Sequence, residues 1–254
     1  MQTRWSEQPV VHSDPQGSKP RMALAGHLEE LRRRLGVCLL ALLVAVGISV
    51  AYVERIIAWL SRPVEGLIPQ FAYFTPTEPL VAYIRVAILC GLILAMPVIL
   101  WQVWAFLRSG LTSKERSSGL LFVAWGSVQF LAGAAAAYYG FLPASLRVLL
   151  SIGRRFLLPV ISIDQYLGFV TTLVFWTGLV FELPVVLMVL AKLGIVTAEW
   201  LRQQRPYAVL VLVIIAALVT PTTDPVNLFL LAVPLILLYE LSIFLTRLSR
   251  RARA

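Results

Sequence analysis

The chain has 254 residues, 59% of them hydrophobic and 14% charged, with a mean hydropathy of +0.83 and a net charge of +9. A soluble domain of this size cannot hide so much apolar surface, so the composition specifies an integral membrane protein. The positive charges fall between apolar runs rather than in an aromatic-interleaved basic domain, which argues against a nucleic-acid partner.

Residues 1–21 form an expected disordered tail: the first 20 are rich in Gln, Ser, Pro and Gly and lack the apolar core of a signal peptide. The next stretch, His27-Leu28-Glu29-Glu30-Leu31-Arg32-Arg33-Arg34-Leu35, carries Leu24, Leu28, Leu31 and Leu35 at helical spacing. Two carboxylates and three guanidinium groups occupy its other faces. This pattern predicts a short amphipathic helix at the membrane surface that feeds a spanning helix.

Apolar runs predict six spans, at about 35–53, 80–107, 119–142, 166–191, 206–220 and 226–245. The first four are long enough to cross ~30 Å of hydrocarbon. The fifth has 14 residues from Tyr207 to Thr220, or ~21 Å of helix. The sixth has 14 residues from Val226 before Glu240 interrupts it. Two short neighbours imply a locally thin bilayer, a buried hairpin, or flanking residues that snorkel. The chain thus divides into the tail, a membrane domain over 22–247, and a basic tail over 248–254.

Orientation follows from the basic residues. One set of connections, with both termini, holds 16 Lys and Arg; the opposite set holds 6. The positive-inside rule places both termini in the cytoplasm and makes 54–79 and 143–165 external caps. Pro97, Pro184 and Pro234 recur in spans two, four and six. Each removes a backbone donor, and three bends in parallel helices would give a concave face.

Glu182 is the sharpest functional signal, because Phe169–Phe181 and Leu183–Ala191 around it are uncharged. A carboxylate in hydrocarbon must be protonated, paired, or turned to a polar cavity or partner helix. Two readings are open: contact with another transmembrane helix or a proton site, against a buried hydrogen bond to Thr177 or Gln129. Glu29 and Glu30 carry a similar duality. Each has an arginine four residues on, Arg33 and Arg34, as surface helices often do; each could also bind a guanidinium ligand in a charge-assisted pair. Thr112-x-x-Glu115 matches a capping box, and Glu115 also supplies a second carboxylate on the cytoplasmic side. Asp224, in Thr220-Pro221-Thr222-Thr223-Asp224-Pro225, is expected to cap span six.

Enzyme motifs and metal spacings are absent from the sequence, and Cys38 and Cys90 stand singly within apolar runs. No cofactor or metal is expected. A proton-coupled solute transporter using Glu182 is the main alternative class, but transporters commonly carry internal repeats and converging polar groups at depth, and neither is evident.

Taken together, the motifs resemble those of the TatC family, the multispanning subunit of the twin-arginine protein translocase. The likeness runs in order through His27-Leu28-x-Glu30-Leu31-Arg32-x-Arg34, Pro76-Thr77-Glu78-Pro79, Pro97 to Phe106, Lys114-Glu115-Arg116, Phe181-Glu182-x-Pro184, Arg205-Pro206-Tyr207 and Thr220-Pro221. The resemblance implies a curved, glove-like bundle of six helices in the bacterial cytoplasmic membrane. It implies a receptor for Arg-Arg signal peptides of folded proteins, exported by the proton-motive force. Glu30 and Glu115 would then bind the arginine pair, with Arg32 and Phe106 in the same recognition region. Glu182 would contact single-span partner subunits of the TatA and TatB types. Glu29 is left as the helix-stabilising partner of Arg33.

Overall fold

The computed structural model describes residues 19–66, 70–108, 119–151, 160–219 and 225–251, with the side chains of those between 28 and 247 apart from 226 and 227. The expected N-terminal tail up to residue 18 lies outside the described residues, as do Glu115 and Asp224. Within the described residues the chain is helical apart from short connections: α1 (Lys19–Ala51), α2 (Val53–Ser61), α3 (Glu78–Leu107), α4 (Gly119–Ala135), α5 (Leu142–Ser151), α6 (Ile163–Phe181), α7 (Leu183–Lys192), α8 (Ala198–Gln203), α9 (Arg205–Val219) and α10 (Pro225–Arg251). Five helical runs are long and apolar enough to cross a membrane, and α9 is a shorter apolar helix.

The N-terminal signature does not form a separate surface helix. It belongs to α1, a single helix of 33 residues that spans ~50 Å. Leu, Glu and Arg are strong helix formers, and nothing between Leu28 and Leu35 supplies the proline or inserted group that a sharp bend needs. The helix starts at Lys19, three residues inside the expected tail.

Helix α1 lies along α3, while α3, α4 and α6 pack against one another. Between apolar helices in lipid, close packing rather than the hydrophobic effect drives association, and small residues permit it. At Gly91 a Cβ would lie 2.5 Å from Val46 Cγ2 and 2.8 Å from Val46 Cα, so any larger residue would force α1 and α3 apart. Phe130, Leu167 and Leu173 are fully enclosed at the centre of the bundle.

The third span continues past its expected end at residue 142. A π-helical turn (Ala136–Phe141) joins α4 to α5, and the Leu142 N–H donates to the Ala137 carbonyl. Pro143 cannot donate a backbone bond, and the widened turn just before it lets the helix proceed to Ser151. The sixth span is also longer than expected. Glu240 interrupts the apolar run but not the helix: α10 runs on to Arg251, and Arg205 donates to the Glu240 carboxylate at 2.5 Å. The fifth span is short, as expected, at 15 residues.

Of the three prolines, Pro97 and Pro234 sit inside continuous helices. Only the third interrupts its helix: α6 ends and α7 begins at Glu182, two residues before Pro184. Proline near the start of a helix loses no intrahelical bond, so Pro184 suits the first turn of α7.

At the end of the bundle far from the signature, the two segments read as caps clasp each other. Ala72 and Ser162 form a parallel bridge, with Ala72 N–H donating to Ile161 O at 3.1 Å and Ile163 N–H to Ala72 O at 3.0 Å. Ser162 Oγ donates to Glu78 Oε2 at 2.6 Å and accepts from the Asp164 and Gln165 amides, capping α6. Helix α2 buries Val53, Ile57 and Leu60 on one face. Its terminal carbonyls receive side-chain donors from elsewhere: Tyr138 O–H donates to Trp59 O at 2.5 Å and Tyr166 O–H to Leu60 O at 2.7 Å. Carbonyls at a helix end need donors from outside the helix; the Trp59 carbonyl also accepts from the Arg62 N–H, and the two tyrosines add side-chain donors.

Candidate functional site

Two arrangements bring sequence-singled residues together. The first is at the signature end. Glu30 and Arg34 lie one turn apart on α1. Arg34 donates to Glu30 Oε1 through Nε at 3.1 Å and through Nη2 at 2.5 Å. Its third nitrogen, Nη1, donates to Gln102 Oε1 on α3 at 3.3 Å. Phe106 sits four residues after Gln102, so it lies on the same side of α3 one turn further along, where it is half-buried. Glu30 and Phe106 therefore flank the α1–α3 contact, while Arg32 and Arg33 are exposed.

Of the two possible i,i+4 pairs, the structure forms Glu30–Arg34. Glu29 is exposed and makes no ion pair with Arg33 among the described residues. The sequence left Glu29 as the helix-stabilising acid; the pairing falls to Glu30 because Arg34 faces α3, where Gln102 holds it. Gln102 was missed. Its signal was a single side-chain amide within the apolar run from Val98 to Phe106.

The second arrangement lies at depth. Glu182 is 4% exposed at the junction of α6 and α7, and neither carboxyl oxygen has a hydrogen-bond partner among the described residues. The expected bonds to Thr177 or Gln129 are not made: Thr177 Oγ1 and Gln129 Oε1 are themselves buried without partners, as is Ser127 Oγ. These groups come from α4 and α6, two helices in direct contact. Gly126 makes room for the carboxyl, since a Cβ there would lie 3.2 Å from Glu182 Oε2. Glycines recur at 119, 126 and 133 along α4, seven residues apart. That spacing was the available signal for a helix face pressed against its neighbours. A buried polar group without a partner costs ~1–3 kcal/mol.

A third polar contact joins Arg85 of α3 to Asp164 of α6. The guanidinium comes within 3.0 Å of the carboxylate, but hydrogen-bond geometry is met only with the Asp164 main-chain carbonyl, at 3.2 Å. It ties α3, two turns in, to the first turn of α6.

Fold and site together define a polytopic helical membrane protein with a charged, inter-helix-braced signature at one end and an unpartnered carboxyl buried within the bundle. Comparison with known proteins agrees on a single family. Residues 26–234 match the family model described as "Sec-independent protein translocase protein (TatC)". Proteins of that name from Carboxydothermus hydrogenoformans and Aquifex aeolicus are each 38% identical, over 89% and 91% of this chain and 93% and 98% of their own lengths. A crystal structure of the twin-arginine translocase receptor TatC superposes with a TM-score of 0.81 at 36% identity, covering 88% of this chain and 99% of that one. The chain belongs to the TatC family. It is a multispanning membrane component of the twin-arginine translocase, a transport subunit and not an enzyme.

Proposed function

We propose that this protein is the signal-peptide receptor of its translocase, reading the paired arginines of folded precursors through Glu30 and Glu115, with Arg32 and Phe106 in the same recognition surface. The observation that carries this reading is the Glu30 carboxylate itself. It already engages a guanidinium in a charge-assisted contact and is braced through that group to α3. Charge-assisted guanidinium–carboxylate pairs are among the stronger polar contacts a protein makes. The solved relative is called a receptor, which supports the same assignment. Glu115 lies outside the described residues and enters on the family motif Lys114-Glu115-Arg116.

In this reading both termini face the cytoplasm of a bacterial cell, on the side that holds 16 of the 22 basic residues. Glu182 meets a transmembrane helix of a single-span partner subunit, of the TatA or TatB type, whose polar side chain completes the unsatisfied groups at depth. Assembly with those subunits serves export driven by the proton-motive force.

The test is site-specific crosslinking of the full protein, in membrane vesicles, to a precursor signal peptide with an Arg-Arg pair and to a matched Lys-Lys control. Glu30→Ala combined with Glu115→Ala is expected to abolish the preference for Arg-Arg while the protein still inserts. Unchanged Arg-Arg crosslinking would overturn the assignment.

A further inference from the structure

We infer that a cleft at the signature end of the bundle is a binding site for an anionic phospholipid of the adjoining leaflet, with the phosphate at Lys192 and the acyl chains along the cleft.

The cleft has a volume of ≈ 440 Å³, within the range of small-molecule sites. It lies between α3, α4, α7 and α10, and Trp104, Phe122, Trp125, Val185, Val189 and Leu245 line it. One wall is firmly built. Trp104 is 3% exposed and stacks on Phe122 with ring centroids 5.0 Å apart. Gly119 lets it sit there, because a Cβ at 119 would collide with the indole Nε1. Trp125 is exposed, so the cleft is reached from the lipid.

Polarity is confined to one end. Among the described residues that line the cleft, Lys192 is the one that carries a charge, and it stands in the last turn of α7. Val185 lies seven residues earlier on that helix, ~10 Å further into the hydrocarbon. A lysine at a helix C-terminus ordinarily offsets the helix dipole. That use does not require it to wall a cleft, and Lys192 forms no ion pair among the described residues. Its surroundings have the same sign. Arg108 caps α3 one turn beyond Trp104, exposed and also outside the ion pairs of the described residues. Helix α10 leaves the bundle through Arg247, Arg250 and Arg251.

An apolar trough with a cation at its interfacial mouth matches an amphiphile with hydrocarbon chains and an anionic head. Basic pockets between spanning helices hold the head groups of acidic lipids in this way. Hydrocarbon alone, or an apolar transmembrane helix, would fill the walls and leave Lys192 unmatched. An acidic phospholipid accounts for both.

The test uses full-length protein reconstituted in phosphatidylcholine vesicles with an increasing fraction of phosphatidylglycerol brominated on its acyl chains. Bromine quenches indole fluorescence on contact, and the part of the signal lost in Trp125→Phe isolates the cleft. Quenching of that part is expected to saturate at a low phosphatidylglycerol fraction, whereas brominated phosphatidylcholine quenches it only in proportion to its abundance. Lys192→Gln should raise the half-saturating fraction about fivefold, the equivalent of the ~1 kcal/mol that one basic residue near an anionic surface contributes. Lys192→Arg should keep it. Arg202→Gln removes an exposed cation at the same end but outside the cleft, and should change nothing. Equal quenching by the two lipids would mean plain hydrocarbon contact, and an equal effect of Arg202→Gln would mean diffuse surface attraction; either overturns the inference. No quenching by either lipid also overturns it, because the cleft is then filled by protein. If Lys192→Gln does not fold, Arg108→Gln carries the test: a rise in the half-saturating fraction is expected, and an unchanged fraction overturns the inference.

Discussion

Gly126 of α4 lies directly against the Glu182 carboxyl, close enough that a Cβ at 126 would come within 3.2 Å of Oε2 and 2.8 Å of Leu100 Cδ1. Three helices meet at this point, and the missing side chain leaves space for the carboxyl. Gly126→Leu is expected to displace Glu182 and destabilise the bundle by roughly 1–3 kcal/mol, as overpacking does. Thermal unfolding in detergent checks the stability. Copurification of single-span subunits, expected to fall in parallel, checks the link to Glu182.

Glu182→Leu separates stability from assembly. The carboxyl has no partner among the described residues, so replacing it with an apolar group should leave the isolated protein as stable as before, or more so by ~1–3 kcal/mol. Partner copurification should drop sharply. A protein that melts much earlier would mean that Glu182 has an internal partner. Intact copurification with reduced proton flux across vesicles would favour a proton site.

The two tyrosine donors to α2 should differ in weight. Tyr166 is 3% exposed, and its loss leaves the Leu60 carbonyl without that donor; Tyr166→Phe is expected to cost ~1–3 kcal/mol. The Trp59 carbonyl also accepts from the Arg62 N–H, so Tyr138→Phe should cost less. Melting temperatures rank the pair, and faster amide exchange over residues 62–66 in Tyr166→Phe would locate the loosening.

The Arg205–Glu240 pair is half-exposed on both sides. Exposed ion pairs are worth at most ~1 kcal/mol, and a double-mutant cycle with Arg205→Ala and Glu240→Ala should return a coupling below that. A larger coupling would mean that the pair is shielded by lipid or by a partner.

Hydropathy made the long apolar helices legible, and the uncharged residues around Glu182 made its burial legible. What escaped were contacts between helices far apart in sequence. Glu240 looked like the end of an apolar run because its partner, Arg205, begins a different helix. Gln102 looked incidental because the arginine it holds is 68 residues away. The π turn before Pro143 has no periodic signature, since one widened turn barely shifts the apolar pattern. At Glu182 the sequence offered two internal donors as alternatives, and the structure uses neither: burial can be read from composition, but hydrogen-bond geometry depends on the rotation of facing helices.

Helix α1 has no joint. Its 33 residues run unbroken from the charged signature to the start of α2, and it is tied to α3 at two separated places, Arg34 on Gln102 and Val46 against Gly91. A stiff rod carries a displacement at one tie along to the other. A ligand that shifts Glu30 or Arg34 at one end cannot have that motion absorbed by a hinge within the rod. It must tilt or turn the other end, which abuts α2 and its two tyrosine anchors. Whatever docks at the signature is therefore mechanically in touch with the far side of the membrane.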